Sequence, residues 1–343
     1  MQQSKQRKQQ QLKQKPDSGG GLVHSAIDQA SLLAWYAEHQ RDLPWRHEHD
    51  PWPILLSEIL LQQTQVSRGT VFWHRLYQRY PTVQSMADST EEEVLFLWQG
   101  AGYYSRARRL FQLSKVVCAA LSDGGFDGRM PTTAKELETL PGVGPYTAAA
   151  VASIAHGEAV ACVDGNVRRV MARQTAQAKP SDRSLQTWAD ASLWKIDAGN
   201  WNQAVMELGA TVCTPKKPLC SGCAIRSSCT GIATPEMYPA PKARPKKRVD
   251  LMCILLFDSK GLPHLEQRDT SGILAGMWGP TMALELDVES LDYLGEVHHV
   301  LSHRDLHVRV WMGQTDTGVD PTTVPLSSLD HKVLALGSLA VKK

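Results

Sequence analysis

The stretch from Leu140 to Arg173 constrains what this chain can fold into more than any other. It opens with a tight turn, LPGVG, whose glycines Gly142 and Gly144 can adopt backbone conformations that other residues rarely reach. Pro145 suits the first position of a helix, and the Ala-rich run after it favours one. With a preceding helix over residues 133–140, the pattern predicts two helices joined by a short turn. Backbone amides and a positive helix end would then point outward, which suits a phosphate.

Asp164 lies between this second helix and a further helical segment. An aspartate at the start of a helix commonly caps it by accepting a hydrogen bond from a backbone amide. The same carboxylate would also lie close to the predicted phosphate site, beside a bound nucleic-acid backbone. The residue on its own leaves both roles open.

Glu58 is the second residue that points to chemistry. It lies in the segment ILLSEILLQQTQ, where helical spacing surrounds it with Ile54, Leu55 and Leu61. Burial among apolar side chains raises the pKa of a carboxyl group and leaves it partly protonated near neutral pH, as a general acid requires. A paired or half-exposed carboxylate at the rim of a buried helix fits the pattern equally well.

A glycine-rich turn at residues 100–106 carries Tyr103 and Tyr104 and is followed by further arginines. This arrangement can place aromatic rings against bases and guanidinium groups against phosphates. It also fits core aromatics at the start of a helix with a solvated basic face. Arg46, between two tryptophans, is likewise either a surface charge or a stacked, buried group.

Four of the seven cysteines lie within 17 residues, with the spacing C-x6-C-x2-C-x5-C. We expect no secretory signal and therefore no disulfides. Four thiolates this close predict a metal site, either zinc or an iron–sulfur cluster. Structural zinc more often uses two paired C-x-x-C units, and this segment has one, so the spacing favours the cluster. The predicted ligands are Cys213, Cys220, Cys223 and Cys229.

The formal net charge of +2 is unevenly placed along the chain. Residues 1–20 and 232–248 each carry five Lys or Arg against one acidic residue, whereas residues 249–343 carry 7 against 13. The overall charge therefore does not mark a nucleic-acid binder, and binding would depend on local patches and helix termini. No apolar run approaches the roughly 20 residues that span a bilayer, so we expect a cytoplasmic protein without membrane contact.

Composition and periodicity divide the chain into four parts. We predict a disordered basic tail over 1–22, a helical region over 23–231 and a Pro/Lys-rich extended linker over 232–248. Residues 249–343 alternate apolar and polar positions, which predicts a separate, β-rich domain. Its histidine-dense stretch 298–303 suggests a metal site or a recognition loop. Acidic ligands at suitable spacing are missing there, which favours the loop.

These motifs together resemble the helix–hairpin–helix DNA glycosylases, and most closely the MutY-type adenine glycosylases. The resemblance covers residues 24–232 strongly and 249–343 more loosely. It implies a mainly α, two-lobed fold with an iron–sulfur cluster loop, followed by a smaller α+β Nudix-like domain that lacks the Nudix box and would read the lesion. The motifs that carry it are LPWR at 43–46, SE at 57–58, LQQT at 61–64, GYYS at 102–105, LPGVG at 140–144, VDGNV at 163–167 and the four cysteines.

The resemblance implies base excision repair of double-stranded DNA. Adenine mispaired with 8-oxoguanine or guanine would be flipped out of the helix and released by hydrolysis of its N-glycosidic bond. Such chemistry calls for one neutral acid and one ionised carboxylate. Glu58 would protonate the base, and Asp164 would stabilise the sugar cation or bond to it transiently. Tyr146 and Asn166 would orient these groups and the attacking water.

Binding roles follow from the same resemblance. Gly142 and Gly144 would hold the DNA backbone, and the four cysteines would hold a 4Fe–4S cluster. Leu301 stands where the family usually has a phenylalanine, which would weaken the grip on 8-oxoguanine. We expect a monomer associated with the bacterial nucleoid. The residues expected to contact the flipped base, the duplex or the lesion are Arg46, Leu61, Gln63, Tyr103, Ser302 and His303.

Three alternatives remain at this point. Endonuclease III, which excises oxidised pyrimidines, has a lysine where this chain has Tyr146, so a monofunctional glycosylase is expected in place of a strand-cleaving lyase. A protein that only binds DNA damage or senses redox state would not need both Glu58 and Asp164. A zinc-containing DNA-binding regulator would lack the roughly four irons of a brown cluster protein.

Overall fold

The computed structural model describes residues 27–241, 246–269, 272–301 and 304–341. The predicted basic tail over residues 1–22 therefore lies outside the described residues. The rest forms a helical region of two lobes and a smaller domain built on a β-sheet. Among the described residues, none of the helices is long and apolar enough to cross a membrane.

Eleven described helices make up the helical region, and a twelfth belongs to the small domain. They are α1 (Gln29–His39), α2 (Pro51–Leu61), α3 (Val66–Arg79), α4 (Val83–Ala87), α5 (Glu91–Trp98), α6 (Tyr104–Cys118), α7 (Ala134–Leu137), α8 (Pro145–His156), α9 (Gly165–Gln174), α10 (Asp182–Ser192), α11 (Ala198–Thr211) and α12 (Ser328–Val341).

Helix α2 is the centre of the first lobe. Asp50 caps it, Pro51 occupies its first position, and every residue from Trp52 to Leu60 is buried. A helix that is apolar all round belongs inside a protein. Helices α3 and α8 pack directly on this one, and residues of α3 to α8 contribute to the largest core. The second lobe has its own core, where α1, α9, α10 and α11 meet around Trp201.

The predicted pair of helices with a short turn is present as α7 and α8. Thr133 and Glu136 form a capping box that starts α7. This first helix covers one turn at 134–137, shorter than the predicted 133–140. Helix α8 runs from Pro145 to His156, and Gly157 closes it with a φ of 68°, the left-handed conformation favoured by glycine.

The small domain is an α+β unit. Its four-stranded sheet has the order β4-β1-β6-β5, with β1 parallel to β6 and the other two pairs antiparallel. Helix α12 packs on one face, where Leu251, Val308 and Leu329 share a core. The strands are β1 (Lys247–Phe257), β2 (Glu266–Gln267), β3 (Trp278–Gly279), β4 (Thr281–Ala283), β5 (Asp292–Val300) and β6 (Arg304–Gln314).

The predicted extended linker, residues 232–248, is held to the rest of the protein at both of its ends. The carbonyls of Pro235 and Tyr238 accept hydrogen bonds from the buried Arg173, and Ala240 donates its amide to the carbonyl of Ala178. At its other end, β1 starts at Lys247 because this residue pairs in register with β6. The proline-rich composition predicted an extended segment but gave no indication of these contacts.

The small domain lies directly against the first lobe. The guanidinium of Arg108 donates to the carbonyl of Ala275 at 2.5 Å, and the hydroxyl of Tyr104 donates to the carbonyl of Leu326 at 3.4 Å. Met277 of the small domain is fully buried in the core of the first lobe. The two units therefore share a packed interface, and α6 carries much of it.

Candidate active site and cysteine centre

A cavity of about 520 Å³ lies between the two lobes. Helix α2 from the first lobe and helices α9 and α11 from the second contribute to its walls. Among the sequence-predicted site residues, it brings together Arg46, Glu58, Leu61, Gln63, Tyr146, Asp164 and Asn166. Residues more than 100 positions apart in the chain thus meet in one space large enough for a nucleobase.

Glu58 is buried in this cavity, with 8% of its surface exposed. The hydroxyl of Tyr146 donates to Glu58 Oε2 at 2.6 Å and also contacts the sulfur of Met206 at 3.2 Å. Burial raises the pKa of Glu58 to about 7, with Asp164 adding to the rise and the Tyr146 hydrogen bond and Arg46 opposing it. A carboxyl group with this pKa is half protonated at neutral pH, so it can donate a proton and later accept one.

Asp164 combines the two roles that the sequence left open. It caps α9, where Oδ1 accepts the amide of Val167 at 2.7 Å, and it also lines the cavity. Its Oδ2 accepts from the side-chain amide of Asn166 at 2.7 Å. Burial raises the pKa of Asp164 above its ordinary value, and these hydrogen bonds and the charge of Arg169 limit the rise. The donors stabilise the ionised form in a place that would otherwise favour the neutral acid.

A chain of hydrogen bonds connects Asp164 to the cysteine-bearing segment. The Asn166 side chain that donates to Asp164 accepts in turn from Arg169 Nη2 at 2.8 Å. Arg169 also donates to the carbonyl of Gly209 at 2.7 Å and, through Nε, to the carbonyl of Cys213 at 2.7 Å. The first turn of α9 therefore fixes Asn166 from both sides, and with it one oxygen of the aspartate.

Glu207 is a site residue that the sequence interpretation missed. It is 1% exposed, and its carboxylate accepts hydrogen bonds from Arg41 at 2.7 and 2.8 Å and from Arg46 at 2.8 Å. Burial alone would raise its pKa, but the two arginines outweigh it and lower the pKa to about 2. Arg46 is thus a fixed cation with 10% of its side chain exposed, and its charge acts on Glu58. An acid inside the apolar run AVMELGA was the available signal, the same one that identified Glu58.

A second cavity, of about 710 Å³, opens between the first lobe and the small domain. Gln63 and Tyr103 meet at its edge, where the Tyr103 hydroxyl donates to Gln63 Oε1 at 2.6 Å. Both residues have φ near +60° and +52°, a left-handed conformation that costs non-glycine residues roughly 1 kcal/mol or more and concentrates at functional sites. Ser302 and His303 lie outside the described residues, but Leu301 and Arg304 on either side of them line this cavity.

The glycines of the turn before α8 differ in role. Gly142 has φ of +82°, and a side chain there would meet Cβ of Arg109 at 2.8 Å. Gly144 has an ordinary φ of −98° and caps α8, and a Cβ added to it would meet nothing within 4 Å. The turn therefore needs glycine at 142 for its conformation, whereas at 144 glycine leaves the approach to the helix terminus open.

The four predicted cysteine ligands line one small cavity beneath α9 and α11. Burial raises the pKa of Cys223 to about 11, and the nearby thiols of Cys213, Cys229 and Cys220 add to the rise. Four thiols around one small cavity, with Arg173 donating to the sulfur of Cys213 at 3.3 Å, fit a thiolate-bound metal centre.

Comparison with known proteins gives a family and a set of relatives. Residues 56–192 match the model of the HhH-GPD superfamily of base excision DNA repair proteins. The adenine DNA glycosylase of Homo sapiens is 35% identical over 86% of this chain and 68% of its own length. The adenine DNA glycosylase of Mycolicibacterium smegmatis is 42% identical over 58% of this chain and 67% of its own length.

Solved structures are similar over the helical region. A thermostable thymine-DNA glycosylase superposes with a TM-score of 0.54 at 29% identity, covering 60% of this chain and 94% of that one. A complex of endonuclease III with DNA gives a TM-score of 0.51 at 22% identity, covering 59% and 92%. At that identity the second likeness concerns the fold, and it agrees with the two-lobed helical architecture.

Proposed function

The chain belongs to the adenine DNA glycosylase family, and we propose that it excises adenine mispaired with 8-oxoguanine or guanine in double-stranded DNA. As a DNA glycosylase, it hydrolyses N-glycosyl bonds in base excision repair. The observation that carries the proposal is the single cavity in which Glu58, Tyr146 and Asp164 meet. We also propose that the protein acts on chromosomal DNA in the cytoplasm, as a monomer.

The first chemical step is protonation of the flipped adenine. Glu58 in its neutral form donates its proton to N7 of the base, and the C1′–N9 bond breaks with its electron pair going to the base. Positive charge develops on the sugar, where the ionised Asp164 stabilises it or bonds briefly to C1′. Asn166 and the amide of Val167 hold the aspartate ionised and aimed.

Water completes the reaction. It attacks C1′, and the Glu58 carboxylate, now without its proton, accepts one from the water, which leaves free adenine and an abasic site. Tyr146 orients Glu58 through its 2.6 Å hydrogen bond. No lysine is among the described residues that line this cavity, so an amine that would attack the sugar and lead to strand cleavage is missing there. We therefore propose a monofunctional glycosylase.

The second cavity is the proposed reader of the opposite base. Gln63 and Tyr103 stand at its edge, bonded to each other, where they can wedge into the duplex from which adenine is flipped. Leu61 lines the catalytic cavity beside them. Leu301 and Arg304, which flank Ser302 and His303 in the sequence, line the second cavity, and the proposal assigns contact with 8-oxoguanine to Ser302 and His303.

We propose a 4Fe–4S cluster for the four cysteines. Bound there, it would hold residues 213–229 against α9 as a structural centre. Arg173 supports this placement, since it donates to the sulfur of Cys213 at 3.3 Å and to the carbonyl of Thr214 at 2.8 Å. About four irons per chain and absorbance near roughly 400 nm are expected. One zinc and no iron in anaerobically purified protein would refute this part.

Single-turnover cleavage of duplexes tests the activity. Strand breaks at adenine opposite 8-oxoguanine, formed only after alkali, are the expected result, with A·T and thymine-glycol duplexes as controls. Breaks at thymine glycol without alkali would refute the monofunctional adenine assignment. Glu58→Gln should abolish excision while leaving lesion binding almost unchanged, and Glu92→Gln, which changes an exposed acid on α5, is the matched control.

A further inference from the structure

The β5–β6 hairpin gathers two histidines and two carboxylates on one face of the small domain. His298 on β5 stands directly opposite His307 on β6, and Asp305 lies two residues before His307 on the same strand. Because side chains alternate along a strand, these three share the face that α12 leaves uncovered. Glu296, two residues before His298, joins them there. The sequence interpretation missed this group because the acidic ligand comes from the next strand.

The ligand atoms of this group already converge. One nitrogen of His298, one of His307 and one carboxylate oxygen of Asp305 all lie within 4.8 Å of one another. His298 Nε2 is bonded to Asp305 Oδ1, and His307 Nε2 is 3.7 Å from Asp305 Oδ2. The two imidazole rings are 4.7 Å apart between centroids. Small side-chain movements would bring all three donors to the roughly 2.0–2.2 Å bonds of a zinc ion.

A second side-chain contact of His307 resembles the hydrogen bonds that orient metal-binding histidines. Its other nitrogen, Nδ1, is 3.1 Å from Oε1 of Glu296. Metal-bound histidines almost always donate their second ring N–H to such a carboxylate or carbonyl, which fixes the tautomer that coordinates. Glu296 would therefore hold Nε2 of His307 free for the metal.

The cations around the site make contacts of their own, and Arg309, opposite Glu296 on the same face, lies over the Trp311 ring at 5.6 Å. Arg248, the nearest arginine in strand register with Asp305, is paired with Asp250 at 2.7 Å. Lys332 donates its ammonium to the carbonyl of His298 at 3.0 Å and so is held at the backbone. Two protonated imidazoles side by side would repel each other, whereas neutral imidazoles bound to one dication would not.

We propose that His298, Asp305 and His307 bind a divalent transition metal ion, with zinc as the first to test. Two imidazoles and one carboxylate suit zinc and exclude magnesium or calcium as preferred ions, since those take oxygen ligands. Three protein ligands leave a fourth position for water. Bound metal would join β5 to β6 close to the second cavity, since His298 lies three residues before Leu301 and His307 three residues after Arg304, and both Leu301 and Arg304 line that cavity. This proposal concerns binding and does not depend on the proposed function.

Zinc binding by cluster-loaded protein tests the site. Wild-type protein with its full iron content is dialysed against zinc, and both metals are counted by mass spectrometry, with affinity measured by calorimetry. We expect one zinc per chain in addition to the iron. His298→Ala and His307→Ala should each lose it with iron unchanged, and Glu296→Gln should weaken binding about 10–100-fold. His299→Ala should still bind zinc, because the His299 side chain lies on the opposite face of β5.

Each other outcome overturns the proposal. Wild type without bound zinc at tens of micromolar, or equal binding by all variants, would reduce the group to an ordinary ion-pair cluster. Zinc that appears only as iron is lost would belong to the cysteines. Should an alanine variant fail to fold, X-ray absorption of the wild-type zinc gives an independent reading, with two imidazoles expected and sulfur ligands contradicting the site.

Discussion

The pKa of Glu58 gives the reaction a defined pH dependence. Burial raises it to about 7, and the mechanism needs the protonated form to deliver a proton to the base. The single-turnover excision rate should therefore fall as pH rises through about 7, approaching tenfold per pH unit well above it. At low pH the rate should fall again when Asp164 becomes protonated, because its charge stabilises the sugar. A rate that is flat from pH 6 to 9 would contradict the role of Glu58.

The same buried carboxyl group predicts a stability effect. Because the folded-state pKa of Glu58 lies above its unfolded value of 4.5, it costs the folded protein nothing below pH 4.5 and progressively more up to about pH 7. Glu58→Gln removes this cost, so it should raise the free energy of unfolding by up to about 3 kcal/mol at pH 8. Urea midpoints should then differ at pH 8 and coincide near pH 4. An equal difference at both values would mean that packing, not ionisation, is responsible.

At the residue scale, the sequence indicated buried acidic residues more readily than the side chains that contact them. Glu58 stood out because apolar neighbours at helical spacing favour burial, although a half-exposed position at the rim of the helix fitted the pattern equally well. Its bond to Tyr146 joins residues 88 positions apart and depends on how α2 and α8 pack. Glu207 carried the same local signal as Glu58 and was overlooked. Its meaning comes from Arg41 and Arg46, which only the folded chain brings to it.

At the element scale, the turn before α8 separates folding from binding. Gly142→Ala should lower the free energy of unfolding by about 1–2 kcal/mol, because it forces a left-handed conformation on alanine and meets Arg109. Gly144→Ala should leave stability within about 0.5 kcal/mol, since its new methyl group meets nothing. That methyl group would stand where a phosphate approaches the amides of α8, so DNA binding should weaken.

Two measurements check this pair of variants. Urea unfolding at pH 7 gives the stability, and fluorescence anisotropy with an undamaged duplex gives the binding. A Gly144→Ala protein that binds DNA as tightly as wild type would show that the turn does not contact the backbone.

Elements with strong local signals were predictable, and those set by pairing were not. Helix α8 follows from its proline, alanines and closing glycine, all of which act within a few residues. The first helix of the pair was predicted too long, since it begins at its capping box but ends after one turn, at Leu137. The contacts of Pro235 and Tyr238 with Arg173 and the meeting of His298 with Asp305 depend on distant segments. Composition and periodicity hold no information about such contacts.

At the scale of the whole molecule, periodicity predicted the order of the domains but not the interface between them. The change from helical to alternating patterns predicted a β-rich domain in this part of the chain, and the structure shows a small α+β domain there, with a helix packed on its sheet. Its acidic surplus, 13 Asp or Glu against 7 Lys or Arg, suggested a poor partner for DNA. The structure resolves part of this difficulty, because the domain lies against α6 and places Arg304 in the shared cavity.

Arg108 joins the two halves of the molecule, so its loss should change specificity more than catalysis. It reaches from α6 to the carbonyl of Ala275 and lines the cavity proposed to read the opposite base. In Arg108→Met the small domain should be held less firmly, because a buried charged hydrogen bond is lost. The catalytic cavity between the lobes, which Arg108 does not line, should be unaffected.

The excision rate from A·8-oxoguanine should therefore fall about tenfold toward that from A·G, since each 1.4 kcal/mol of lost contact is a factor of ten. The A·G rate itself should change little, so the ratio of the two single-turnover rates is the quantity to measure. Lys115→Met, also on α6 but remote from the interface, serves as the control and should keep the wild-type ratio. Equal losses on both duplexes would place Arg108 in general DNA binding, and discrimination would then not depend on how the small domain is held.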